Sequence, residues 1–233
     1  MGLTDTAFWV ALMQIIGVNI VLSGDNAVVI ALAARSLPQK QQKAAVIWGS
    51  GAAVVMRIIL TVVAVEMLKW PYLKLIGAVL LLWIAVKLLV PEDDGEGDIT
   101  ASDNLMSAIK TILIADLVMS LDNVIAVAAA AKDSLTLLIL GLAISIPLVI
   151  FGSTLLLKLM DRFPIIITIG AGLLGWVAGE MAVTDPAIHG FVEQNHYLHN
   201  VLPVAGVIIV VALGKYLGSR GGAEEHPADQ PAA

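Results

Sequence analysis

The 233-residue chain contains no cysteine, few aromatic residues (5%) and few charges. Asp, Glu, Lys and Arg together make up 14%, against about 25% in ordinary soluble domains. Without cysteine there is no disulfide-stapled secreted domain and no thiolate metal centre. No glycine-rich phosphate cradle occurs, which argues against a built-in ATPase, and no nucleic-acid signature occurs either. What fills the space is apolar: 59% of the residues, with a mean hydropathy of +0.92. A soluble globule of this length cannot hide so much apolar surface, and a disordered chain would not carry it. The composition demands lipid. Basic residues are also missing from one stretch: between Pro91 and Asp103 lie Glu92, Asp93, Asp94, Glu96, Asp98 and Asp103 with no Lys or Arg. Setting those six aside, the remaining thirteen acids equal the thirteen bases, so the net charge of −6 belongs to this linker.

A bilayer core about 30 Å thick needs roughly 20 apolar helical residues. Seven stretches qualify: 8–34, 43–68, 71–90, 104–131, 135–158, 164–183 and 199–218. The expected fold is therefore all-α, a polytopic membrane helix bundle. The first stretch is too long, and lacks the basic flank, for a cleaved signal peptide. Between spans 3 and 4 runs the acidic linker 91–103, and before span 7 an outer loop, 184–198. Residues 219–233, polar and rich in proline, read as a disordered tail. Eight Lys and Arg (35, 40, 43, 87, 158, 162, 215 and 220) fall in one set of loops and three (69, 74 and 132) in the other. That asymmetry places the N-terminus outside, and the C-terminus and linker in the cytoplasm, of a plasma (inner) membrane. Trp70, Tyr72 and Tyr197 stand where interfacial aromatics are expected.

The chain repeats itself. Pro71, Ile76-Gly-Ala78, Leu81, Trp83 and Ala85 recur at an offset of 93 as Pro164, Ile169-Gly-Ala171, Leu174, Trp176 and Ala178. Ser23-Gly-Asp25-Asn26 recurs at an offset of 97 as Ser120-Leu-Asp122-Asn123. The units are residues 1–90 and 104–183, each of three spans; an odd number forces them to run in opposite senses, the inverted-repeat pattern of secondary transporters. Span 7, at 199–218, lies outside the repeat.

Ionisable residues inside spans are costly and commonly mark a pathway or a site. Asp25, Asp116 and Asp122 sit deep in apolar stretches, and Asn19, Asn26 and Asn123 add amide oxygens. Asn19 precedes Asp25 by six residues, as Asp116 precedes Asp122. Six steps turn an ideal helix through roughly 240°, so either the helix breaks between them or the two serve different neighbours. Gly24 favours a break in span 1; Leu121 stands at that position in the second copy. An all-oxygen donor set suits hard cations such as Mn²⁺, Mg²⁺ or Ca²⁺. The competing reading is structural, with the acids paired to Arg57 or Lys110. Arg57 itself either pairs with an acid in one transport state and releases it in another, or forms a static brace. Glu66 and Glu180 lie near span ends, where the interface solvates them. His189, His196 and His199 in the outer loop read as surface histidines more readily than as a metal site. Gly17, Gly49 and Gly51 read as helix-packing residues.

The blocks Leu22–Pro38 and Asp116–Ala128 resemble the TerC family, and within it the short YjbE-type metal transporters. The resemblance runs from span 1 to span 7. It implies Mn²⁺ efflux from the cytoplasm, and for some members supply of metal to exported enzymes. It carries the family's paired acids onto Asp25, Asp116 and Asp122; at the fourth position this chain has Asn19, where manganese-exporting relatives have Glu. The expected function is secondary export of a divalent metal, Mn²⁺ before other hard cations, by alternating access around Asp25, Asp116, Asp122, Asn19, Asn26 and Asn123. The alternatives are a metal-binding membrane partner, docked on a secretion or assembly complex, that delivers metal without transporting it, and an intramembrane aspartyl protease built on Asp25 and Asp122. Membrane lipid and the metal ion are the expected partners, a homo-oligomer is open, and no enzymatic activity is expected.

Overall fold

The computed structural model describes residues 6–21, 24–67, 70–90, 101–131 and 135–221. Among these every regular element is a helix: α1 (Thr6–Val21), α2 (Gly24–Ala34), α3 (Gln39–Met67), α4 (Leu73–Leu89), α5 (Ala101–Ala131), α6 (Leu135–Arg162), α7 (Ile165–Val183), α8 (His189–Gln194) and α9 (Leu198–Gly221). The linker residues 91–100 and the tail 222–233 lie outside the described residues, as do the side chains of Asn19, Glu66, Asp122 and Asn123. The outer loop is not plain coil, since it contains the short helix α8.

Among the described residues five helices are long and apolar enough to cross a bilayer, within α3, α5, α6, α7 and α9. The other two expected spans differ from expectation. Span 1 is not a single helix: it is divided into α1 of 16 residues and α2 of 11. Span 3 is α4, 17 residues confined between Pro71 and Pro91. At 1.5 Å per residue it reaches about 26 Å. Proline lacks the N–H that would extend a helix inward and restrains the residue before it, which limits α4 at both ends.

The exterior is apolar. Trp9, Met13, Trp48, Val79, Trp83, Phe151, Ile169 and Ile208 are all exposed, the reverse of a water-soluble surface and what hydrocarbon solvent requires. Polar side chains gather inside instead: Asn26, Ser50, Arg57, Asp116, Ser120, Ser145 and Ser153 are buried.

Packing between the two repeat units is reciprocal. The second element of the first unit, α3, packs on the first of the second, α5; likewise α6 packs on α1 and α2, and α4 on α7. The glycines carry the same relation in detail. A Cβ on Gly49 would meet Ile112 at 2.8 Å, and one on Gly141 would meet Ile15 at 2.3 Å. Ile15 and Ile112 are separated by 97 residues, the offset that relates the two Asp-Asn pairs. Within α4 and α7 the repeated Gly77, Ala78, Leu81 and Ala85, and Gly170, Ala171, Leu174 and Ala178, are buried in both copies. The repeated Trp83 and Trp176 are exposed to different degrees, 58% and 37%. The repeat is thus a packing face. Gly17 and Gly51 do not pack as expected: among the described residues a Cβ at either would meet nothing within 4 Å.

α9 seals against α7 where neither backbone carries a side chain. A Cβ on Gly206 would lie 2.0 Å from the Gly175 carbonyl oxygen, and one on Gly179 would lie 2.4 Å from Pro203 Cα. Small residues let membrane helices approach this closely.

Candidate functional site

The Gly49/Gly141 register, carried along α3 and α6, pairs Ala53 with Ser145, Val54 with Ile146 and Arg57 with Val149. All six residues line one small cavity, of about 20 Å³, and Asn26, Ser50 and Asp116 also face it. The cavity therefore lies where the two units meet, and both units contribute equivalent positions to its wall.

Asp116 and Arg57 meet there. Arg57 Nη2 lies 2.5 Å from Asp116 Oδ1 in a buried ion pair. Arg57 Nε donates to Ser120 Oγ at 3.0 Å, and the Ser120 hydroxyl donates to Asp116 Oδ2 at 3.3 Å. Ser120 sits one helical turn beyond Asp116 on α5, so both present to α3 from one face. Planar guanidinium matches carboxylate geometry and is the cation best suited to a buried pair. Of the two structural partners open to Asp116 from sequence, Arg57 is the one it meets; Lys110 is exposed on the outside of α5.

Asp25 occupies the first turn of α2 and is half-buried. Its Oδ1 accepts the Asn26 N–H at 2.8 Å, and it is close enough to Arg57 and Asp116 for their charges to act on it. Division of span 1 creates this position. A helix starting at Gly24 presents free N–H groups and a positive dipole end to Asp25, and a helix ending at Val21 leaves its last carbonyls without intrahelical partners. Asn26 is 4% exposed, and among the described residues its amide oxygen and nitrogen have no hydrogen-bond partner; neither has Ser50 Oγ. All three atoms belong to residues on the cavity wall.

The two copies resolve the six-residue spacing differently. Between Asn19 and Asp25 the chain passes from α1 to α2. Between Asp116 and Asp122 α5 continues as one helix, so positions 116 and 122 lie on different sides of it. The residue before the aspartate also differs, Gly24 in the first copy and Leu121 in the second.

The site thus joins Asp25, Asn26 and Asp116 and adds Arg57, Ser50, Ser120 and Ser145. The sequence pattern singles out Arg57, and marks Ser120 through the repeated Ser-x-Asp-Asn motif, but not Ser50 or Ser145. Asn19, Asp122 and Asn123 are assigned no side-chain geometry, being outside the described residues. Among the described residues no three His, Asp or Glu side chains come together as a metal-binding group. The outer-loop histidines are exposed; His189 faces Glu193 at 3.6 Å. Glu180 is exposed near the end of α7, as an interfacial residue should be.

Residues 4–221 match the family model described as the integral membrane protein TerC family. The chain belongs to the TerC family. It is similar to the uncharacterized membrane protein YjbE of Bacillus subtilis (strain 168), with 42% identity over 90% of this chain and 95% of that protein. It is also similar to the B. subtilis membrane protein YceF, with 26% identity over 91% and 84% of the two chains. A third relative is the UPF0053 inner membrane protein YgdQ of Escherichia coli (strain K12), with 27% identity over 70% and 75%. No solved structure matches. The TerC match spans α1 to α9, so the cavity, both repeat units and α9 all lie within it.

Proposed function

We propose that this TerC-family chain is a secondary transporter that exports a divalent metal, Mn²⁺ first among hard cations, from the cytoplasm by alternating access. The observation that carries the reading is the buried cavity at the junction of the two repeat units, walled by Asp116, Asn26 and Ser50 with Asp25 beside it. Carboxylate, amide and hydroxyl oxygens form a donor set for a hard divalent ion. Inside an apolar bundle such groups are costly, and the usual reason to keep them is an ion pathway.

In this reading α1 with α2 makes one crossing and α4 another. With the five longer helices that gives seven, arranged as two inverted three-span units plus α9. The reciprocal packing supports it, as does the position of the cavity at the junction. The N-terminus lies outside and the C-terminus in the cytoplasm of the plasma membrane, as the Lys/Arg asymmetry requires. Asp122, Asn123 and Asn19 complete the metal's surroundings as the units rock, and no reaction chemistry is assigned.

The test is the manganese content of cells under manganese load, expressing either the wild type or Asp122→Asn. Export predicts several-fold more cytoplasmic manganese with the variant at equal expression. Equal contents refute it. Flux into proteoliposomes of purified protein separates transport from metal binding alone.

A further inference from the structure

Both carboxylate oxygens of Asp116 are engaged. Oδ1 takes the Arg57 guanidinium and Oδ2 takes the Ser120 hydroxyl. On the same cavity wall Asn26 Oδ1 and Ser50 Oγ have no partner among the described residues. The pocket therefore pairs a cation already in place with oxygen donors that lack one. A cavity of about 20 Å³ holds one water-sized body and no more.

The repeat shows how particular Arg57 is. Its counterpart in the α6 register is Val149, on the same cavity wall. The counterpart of Asp116, at the offset of 97, is Asn19. The second acid and the second base are missing together, so the charge of this one carboxylate is matched by this one guanidinium.

We propose that Arg57 is the resident cation of the transport site: it neutralises Asp116 while the site is unloaded, and the incoming metal displaces it. This rests on the export reading above. Metal entry then is an exchange, in which Asp116 gives up the guanidinium for the ion, and Asn26 Oδ1 and Ser50 Oγ complete the oxygen shell. The unloaded carrier never presents a bare Asp116 carboxylate to a low-dielectric interior, whose desolvation would otherwise oppose the return movement. The exchange also selects by charge. A monovalent ion replacing a guanidinium gains no Coulomb attraction, whereas a divalent ion doubles it.

The full chain in detergent micelles, titrated with Mn²⁺ and followed by the electron paramagnetic resonance of the free ion, distinguishes the outcomes. Arg57→Gln removes the competitor, and Mn²⁺ binding tightens tenfold or more. Arg57→Gln/Asp116→Asn replaces the pair with two neutral amides; it melts near the wild type without metal, yet binds Mn²⁺ at least tenfold more weakly than the wild type. Excess Na⁺ leaves wild-type binding unchanged. Wild-type affinity in the double variant makes the pair a static brace and overturns the exchange, as does a single variant that binds no tighter. Competition by Na⁺ overturns the selection by charge. Absence of Mn²⁺ binding in the wild type and both variants overturns the export reading and the exchange with it.

Discussion

Two buried acids, one at the centre of the bundle and one at its end, are held by opposite means. Asp116, in the centre, faces a side-chain cation and a hydroxyl. Asp185, beyond the end of α7, is 0% exposed and accepts backbone N–H groups: Tyr72 at 3.0 Å and Ala187 at 2.7 Å on Oδ1, and Leu75 at 3.0 Å on Oδ2. Tyr72 and Leu75 bracket the start of α4, whose first N–H groups have no helical acceptors. Asp185 therefore caps α4 from the turn that follows α7 and ties α4 and α7, the elements that carry the repeated Gly-Ala face, together. Tyr72 meets it in a left-handed conformation, φ 69°, uncommon for a non-glycine residue. Fixed backbone dipoles make a permanent clasp. A guanidinium on a long side chain makes a partner that can leave.

Removing one charge from the central pair is the largest break expected. Asp116→Ala takes the carboxylate from the buried Arg57 guanidinium, and losing one partner of a buried pair costs about 3–5 kcal/mol. The variant's thermal unfolding midpoint in detergent should fall steeply, with Arg57→Gln in the same chain restoring most of the loss. A midpoint unmoved by Asp116→Ala would mean that the pair is solvated.

The central site is more legible in the sequence than the clasp, for a physical reason. Within an apolar span an acid or arginine is improbable in itself, so Asp25, Arg57 and Asp116 stand out from the sequence alone. Ser50 and Ser145 do not, because serine is an ordinary packing residue in membrane helices; their role depends on which neighbour faces them. Glycine is ambiguous in the same way. Gly49 makes its close contact with Ile112, but Gly17 and Gly51 meet nothing within 4 Å among the described residues. Asp185 sits in a loop, where acids normally face water. Its signals are weak: the turn-forming Asp185-Pro186, and Pro71 before a helix with uncapped N–H groups. The expectation of seven whole spans meets a divided first helix and a short α4, since hydropathy reports apolar length and not backbone continuity.

The clasp should yield less and in a different manner. Asp185→Asn keeps one acceptor oxygen but lacks the charge and the second carboxylate oxygen, and an unsatisfied buried donor costs about 1–3 kcal/mol. Burial alone would raise the Asp185 carboxyl, yet the N–H groups of Ala187, Tyr72, Leu75 and Lys74 outweigh it and hold it below its ordinary value. A lowered native pKa stabilises the fold above the ordinary Asp value of about 3.9 and loses that contribution as pH falls below it. Wild-type thermal stability should therefore decline more steeply below about pH 4 than that of Asp185→Asn. Parallel profiles would remove Asp185 as the cause.

The smallest effect separates the clasp from its surroundings. Lys74 Nζ donates to Thr184 Oγ1 at 3.1 Å, a solvent-exposed bond beside the clasp. In water such a bond exchanges one partner for another with little net gain, and surface substitutions away from special features stay within about 0.5 kcal/mol. Lys74→Met keeps the backbone N–H and most of the apolar stem. Its unfolding midpoint should match the wild type within error, while Asp185→Asn falls measurably below both. If Lys74→Met cost as much as Asp185→Asn, the joint would depend on the side-chain contact, and the contrast between fixed dipoles at the end and a replaceable cation at the centre would fail.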